Sequence, residues 1–124
     1  MTIKAGVVTI DTLDPERLGS WWCEQLDGTV VFTEPGELMM VSSQAAGITL
    51  GFHRVPDPTP GKNRIHVDFE AADRQTEVDR LVAAGATVVN TVQWPGADGM
   101  GPMVWTVLAD PDGNQFCVAD QTDA

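Results

Sequence analysis

His66 and Asp68 stand close together in the stretch Ile65-His66-Val67-Asp68-Phe69-Glu70, where apolar and polar side chains alternate. An imidazole with an ordinary pKa of about 6.5 exchanges protons near neutral pH. Beside the carboxylate of Asp68 or Glu70, His66 could act as a general base or orient a ligand's polar group. The competing reading is a structural histidine satisfied by a cross-strand hydrogen bond. Strand geometry points Asp68 the same way as His66 but about 7 Å farther along. Cys117 could bind zinc as a thiolate. Flanked by Phe116 and Val118, it also reads as a small packed hydrophobe. His53 is the second of two histidines, and two imidazoles alone make an incomplete metal site, since a catalytic metal needs about three converging ligands.

Contact area for a planar ligand would come from Trp105, with Trp94, Met100 and Met103 in and around the glycine-rich loop that follows Gln93. Such a loop is mobile enough for a lid or a subunit-contact arm. It lacks the Lys-Ser/Thr pair and following helix of a phosphate cradle. No Gly-x-Ser-x-Gly elbow occurs. A formal charge of −11 argues against a nucleic acid or an anionic membrane as partner, and favours a cationic small molecule. Cys23 and Cys117 read as reduced thiols rather than a disulfide. With no long apolar run and no signal-peptide core at the start, the chain is expected to be cytoplasmic.

The elements that must position these residues form a repeat. Residues 7–31 and 66–89 both read strand, helix, glycine, strand. Expected first strands cover residues 3–11 and 64–70, with Ile65, Val67 and Phe69 on the face that packs under a helix. Asp14, followed by Pro15, and Asp73 are expected N-caps. Leu18, Trp22 and Leu26 form one apolar stripe, and Val78, Leu81 and Val82 the other, with Gly85 ending the second helix. Trp21 and Trp22 point about 100° apart, so only one can be fully buried. Three strands follow each helix: residues 29–33, 38–42 and 48–55, then 87–91, 103–108 and 115–119. Residues 56–63, rich in proline, form a stiff connector between modules 1–55 and 64–124 of a single domain spanning 1–124.

Asp14-Pro15-Glu16-Arg17-Leu18 with Trp21-Trp22, Arg54-Val55-Pro56-Asp57-Pro58, the run from Gly61 to Asp68, Leu81-Val82-Ala83-Ala84-Gly85-Ala86, and Asp110-Pro111-Asp112-Gly113-Asn114 before Cys117 carry a resemblance over almost the whole chain. They resemble the glyoxalase-like subgroup of the vicinal oxygen chelate superfamily, which includes glyoxalases, bleomycin-resistance proteins and dioxygenases. The resemblance implies an α+β fold of two tandem βαβββ modules, curled into a cup-shaped mixed sheet with helices outside. It also implies a divalent metal held at positions matching Val7, His66, Cys117 and, near the end of the first module, His53. Valine cannot ligate, so the metal set is broken. The expected function is therefore sequestration of a small aromatic or cationic molecule without a metal cofactor, as in antibiotic resistance, at His53, His66, Asp68, Trp94, Met103, Trp105 and Cys117. The alternative is a lyase, isomerase or dioxygenase using a divalent transition metal, or a metal-free catalyst with His66 as base. A homodimer is the expected assembly.

Overall fold

The computed structural model describes residues 2–121. The chain divides into two compact units, Met1–Thr59 and Pro60–Ala124. Each is α+β, with one helix and a four-stranded mixed sheet.

The first unit runs β1 (Val8–Thr12), α1 (Pro15–Gln25), β2 (Thr29–Glu34), β3 (Leu38–Ser43) and β4 (Ile48–Arg54), with sheet order β1-β4-β3-β2. β1 lies parallel to β4; the other pairs are antiparallel. As expected, Asp14 caps α1, its carboxylate accepting from the Arg17 amide at 3.1 Å, with Pro15 at the helix start. Leu18 and Trp22, a turn apart, bury against Met39 and Val41 of β3 and Leu50 and Phe52 of β4. Gly19 allows this approach: a Cβ there would sit 2.6 Å from Met39 Sδ and 3.1 Å from Phe52 Cδ2. Trp21 meets Trp22 edge to face at 5.0 Å, and only Trp22 is fully buried.

The second unit repeats the order as β5 (Asp68–Ala71), α2 (Arg74–Ala83), β6 (Thr87–Trp94), β7 (Met103–Ala109) and β8 (Gln115–Asp120), arranged β5-β8-β7-β6 with β5 parallel to β8. Asp73 caps α2 through the Thr76 amide at 3.2 Å. Val78 and Leu81 are buried, but Val82 is 43% exposed, a correction to the expected stripe. It lies about 100° round the helix from Leu81 and so turns away from the sheet. Gly85 ends the helix with φ at 116°. The β7–β8 turn is organised by buried Asp110, whose Oδ1 accepts from the amides of Asp112 and Asn114, both at 2.9 Å.

Both first strands start later than the alternation predicts. The β1 ladder begins where Val8 pairs with Leu50, and Ile3 is exposed. In the second unit the cause is Asn63. Its Nδ2 donates to the Ile65 carbonyl at 2.6 Å and the Gln115 carbonyl at 3.0 Å, and its Oδ1 accepts from the Gln115 amide at 2.7 Å. A side chain thus makes the hydrogen bonds that a strand backbone would have made to β8. The main chain turns away, so Ile65 is 81% exposed instead of packing under α2. Strand pairing resumes where the Cys117 amide donates to the Val67 carbonyl at 3.0 Å.

Candidate functional site

Alternation along β8 sends Phe116 and Val118 to the α2 side, with Thr106 and Leu108 of β7. Cys117 therefore faces the other way, in register with Asp68 on β5 and Val107 on β7. Trp105 and Met103 follow on the same face of β7, and Trp94 pairs with Met103 across the β6–β7 ladder. The sheet thus brings His66, Asp68, Trp94, Met103, Trp105 and Cys117 to one face of the second unit. His53 is not among them: it belongs to the first unit, where its Nδ1 stands 3.9 Å from Asp11 Oδ1, both side chains exposed.

His66, Asp68 and Cys117 converge, each offering one ligand atom within 4.8 Å of the others. His66 Nε2 lies 3.3 Å from Asp68 Oδ1, so the two side chains lean toward each other across the roughly 7 Å that separates neighbours on one strand face at the backbone. His66 stands two residues before Asp68, just ahead of the first residue of β5. Asn63 on one side and Val67 on the other hold this segment to β8.

Cys117 is buried while its two companions are exposed. Burial first, then the hydrogen bond its thiol donates to Asp68 and the charge of that carboxylate, push the thiol pKa up from 9.0 to about 11. Cys117 is thus both a packed side chain and a member of the polar cluster, neutral at physiological pH. Because the folded-state pKa lies above the unfolded one, the unfolded chain loses the proton first as pH rises. Stability is therefore unaffected by this group well below pH 9 and falls between about pH 9 and 11, by roughly 3 kcal/mol in all. Urea melts at pH 8 and pH 10.5 should show the loss in the wild-type chain and a smaller one in Cys117→Ala. Equal losses in the two proteins would rule out Cys117 as the cause.

Counted back from the caps Asp14 and Asp73, the first-unit counterparts of His66 and Asp68 are Val7 and Thr9, and the register partner of Thr9 is Gly51, in the place of Cys117. A Cβ on Gly51 would lie 3.0 Å from Thr9 Oγ1 and 3.2 Å from Val7 Cγ1. Neither Val7 nor Gly51 has a side-chain donor, and His53 falls two positions beyond Gly51 on β4. These residues do not fit a hard divalent cation held jointly by both modules, as the resemblance implies.

Two contributors were not singled out from the sequence. Asn63 is signalled only by its turn-favouring type after Gly61-Lys62. Arg74 pins the start of α2 by donating from a guanidinium nitrogen to Thr106 Oγ1 at 2.7 Å and from its amide to Asp120 Oδ1 at 2.8 Å. Its Nε is buried 3.5 Å from Asp120 Oδ2, close enough for charge attraction but without hydrogen-bond geometry.

Residues 7–119 match the family model described as a glyoxalase-like domain. No curated protein matches the chain in sequence. Among solved structures, a glyoxalase-related enzyme from Fulvimarina pelagi is similar over 95% of this chain and 88% of its own, at 19% identity and a TM-score of 0.71. A fosfomycin resistance protein from Mesorhizobium loti is similar over 98% and 95%, at 14% identity and a TM-score of 0.71. A bleomycin resistance determinant encoded on the transposon Tn5 is similar over 98% and 100%, at 14% identity and a TM-score of 0.67. At these identities the likeness establishes the fold and leaves the chemistry to the site. Among the described residues no helix is long and apolar enough to cross a membrane.

Proposed function

Because the chain belongs to the glyoxalase-like domain family, within the vicinal oxygen chelate superfamily, we propose that it binds a small aromatic or cationic molecule on the open face of its second unit, sequestering it as a resistance protein does. The observation that carries this reading is the shared face: Trp105 stands on β7 two residues from Val107, the partner of Cys117, and so gives flat apolar surface next to the polar centre of His66, Asp68 and Cys117, while Met103 and Trp94 extend the same face farther along the sheet. Aromatic faces stack on planar or cationic groups. The exposed Asp68 carboxylate and the net charge of −11 favour a cation.

In this reading His66 and Asp68 fix the orientation of a polar group on the ligand, with the imidazole held by the carboxylate and the carboxylate held by the thiol. Sequestration needs no bond to be made or broken, and no residue of the first unit.

Bleomycin is a suitable probe, since a protein of the same fold is a bleomycin resistance determinant. Calorimetric titration of metal-free protein should give saturable binding, weakened at least about tenfold by Trp105→Ala or His66→Ala, a loss of 1.4 kcal/mol or more. His66→Ala should unfold within roughly 1 kcal/mol of wild type, because the side chain is 42% exposed. Heat release that never saturates, or binding indifferent to both substitutions, would refute the assignment of this face.

A further inference from the structure

We propose that the gap between residues 5–7 and the start of β4 is a binding slot for a primary carboxamide, the group that Asn63 supplies from within the chain to the second unit. The slot uses residues of the first unit alone, and the proposal does not rest on the small-molecule reading of the second.

Backbone direction comes first. The Val55 amide donates toward β1, to the Thr12 carbonyl at 3.0 Å, whereas the Arg54 amide donates the other way, to Glu37 beside β3, at 2.8 Å. Backbone groups alternate sides along a strand, so those of Thr49 also face β1. Extended back from Val8 opposite Leu50, the parallel register sets Gly6 against Ile48. Yet β1 pairs only from Val8 onward, and among the described residues no backbone hydrogen bond joins residues 5–7 to 47–49.

The second unit meets the same gap and fills it. By strand register the counterpart of Thr49 is Gln115, whose amide donates to Asn63 Oδ1 at 2.7 Å. Counted back from the caps, the counterpart of Asn63 is Lys4, an exposed side chain with no acceptor to offer an amide. Where one unit holds a side-chain carboxamide, the other keeps a cavity of about 300 Å³, at the lower end of the range for small-molecule sites.

The lining suits a neutral amide. The Thr49 N–H is a donor and the Gly47 carbonyl, on the same side of the chain, an acceptor; a primary amide answers both, with its oxygen and its N–H. Val7, Val8 and Ile48 give apolar contact to the body that carries the amide, and no charged side chain lines the cavity. The hydroxyls of Ser42 and Thr49 are already paired with each other at 3.1 Å. A carboxylate would bring an uncompensated charge and no donor for the Gly47 carbonyl.

The test titrates the isotope-labelled full chain with benzamide, and separately with N,N-dimethylbenzamide and benzoate, following backbone amides by NMR. We expect benzamide to shift the Thr49 amide saturably. The other two should bind at least about tenfold more weakly, the effect of leaving one hydrogen-bonding group unanswered. Lys4→Asn, a change at an exposed position, gives the first unit its own carboxamide. It should weaken benzamide at least about tenfold and slow hydrogen exchange at the Thr49 amide, while Lys4→Ala binds as wild type does. Absence of a saturable shift at Thr49, equal binding of benzamide and N,N-dimethylbenzamide, or undiminished benzamide binding in Lys4→Asn overturns the site. Because the bleomycin titration is read through Trp105 and His66, and this one through Thr49 and Lys4, either reading can fail without the other.

Discussion

Phe52→Ala should cost about 3 to 5 kcal/mol, the range for removing a fully buried aromatic side chain and leaving a cavity. Phe52 is fully buried in the middle of the first sheet, between β1 and β3. The hole it leaves cannot readily close. α1 already rests on the sheet through Gly19, with Met39 Sδ only 2.6 Å from where a Cβ would be, so the helix has little room to settle further. Measured by urea denaturation, the midpoint should drop sharply while exposed Ile65→Ala stays within about 0.5 kcal/mol of wild type. A loss below about 1.5 kcal/mol for Phe52→Ala would mean that the first unit's core relaxes in a way this packing does not allow.

Asn63→Ala should cost about 2 to 4 kcal/mol, far more than is usual for a polar residue outside any helix or strand. The substitution removes three hydrogen bonds and leaves the Gln115 amide and carbonyl without those partners at a partly buried position. Asn63→Asp should fall between, since a carboxylate keeps the acceptor for the Gln115 amide and loses both donors. Hydrogen exchange at the Gln115 amide should quicken in Asn63→Ala in step with the lost stability. If that amide stays as protected as in wild type, the side chain is not what ties His66's segment to β8.

Much of the fold was legible because local chemistry and global topology agree. Asp14-Pro15 and Asp73 stop the chain in conformations that only a helix start satisfies, and Leu18 with Trp22, or Val78 with Leu81, gives each helix a single face to bury. The alternation from Ile65 to Glu70 misled because period-two patterning says nothing about which backbone groups find partners. Asn63 had already supplied them to β8. The site was legible in its members and not in its assembly. His66, Asp68 and Cys117 could each be picked out by type, but only the parallel register of β5 on β8 sets Asp68 opposite Cys117, and register between strands so distant in sequence has no local signal. His53 shows the converse: the right residue type, in a strand whose register carries it past the position that Gly51 holds.

The strand order of each unit bears on how the protein can be made. β4 is the last strand of the first unit to be synthesised, yet it lies between β1 and β3 in the finished sheet, and β8 is placed the same way between β5 and β7. A nascent chain that has not yet released Ile48–Arg54 has no partner for β1 and only the β2–β3 hairpin available, which is marginal by itself in water. Val30, Val31 and Phe32 stay solvent-exposed in that hairpin even in the finished fold. During synthesis, then, each sheet closes in one late step when its central strand arrives, and a ribosomal pause before Arg54 or before Asp120 prolongs the interval in which the unpaired strands are open to chaperones or to aggregation.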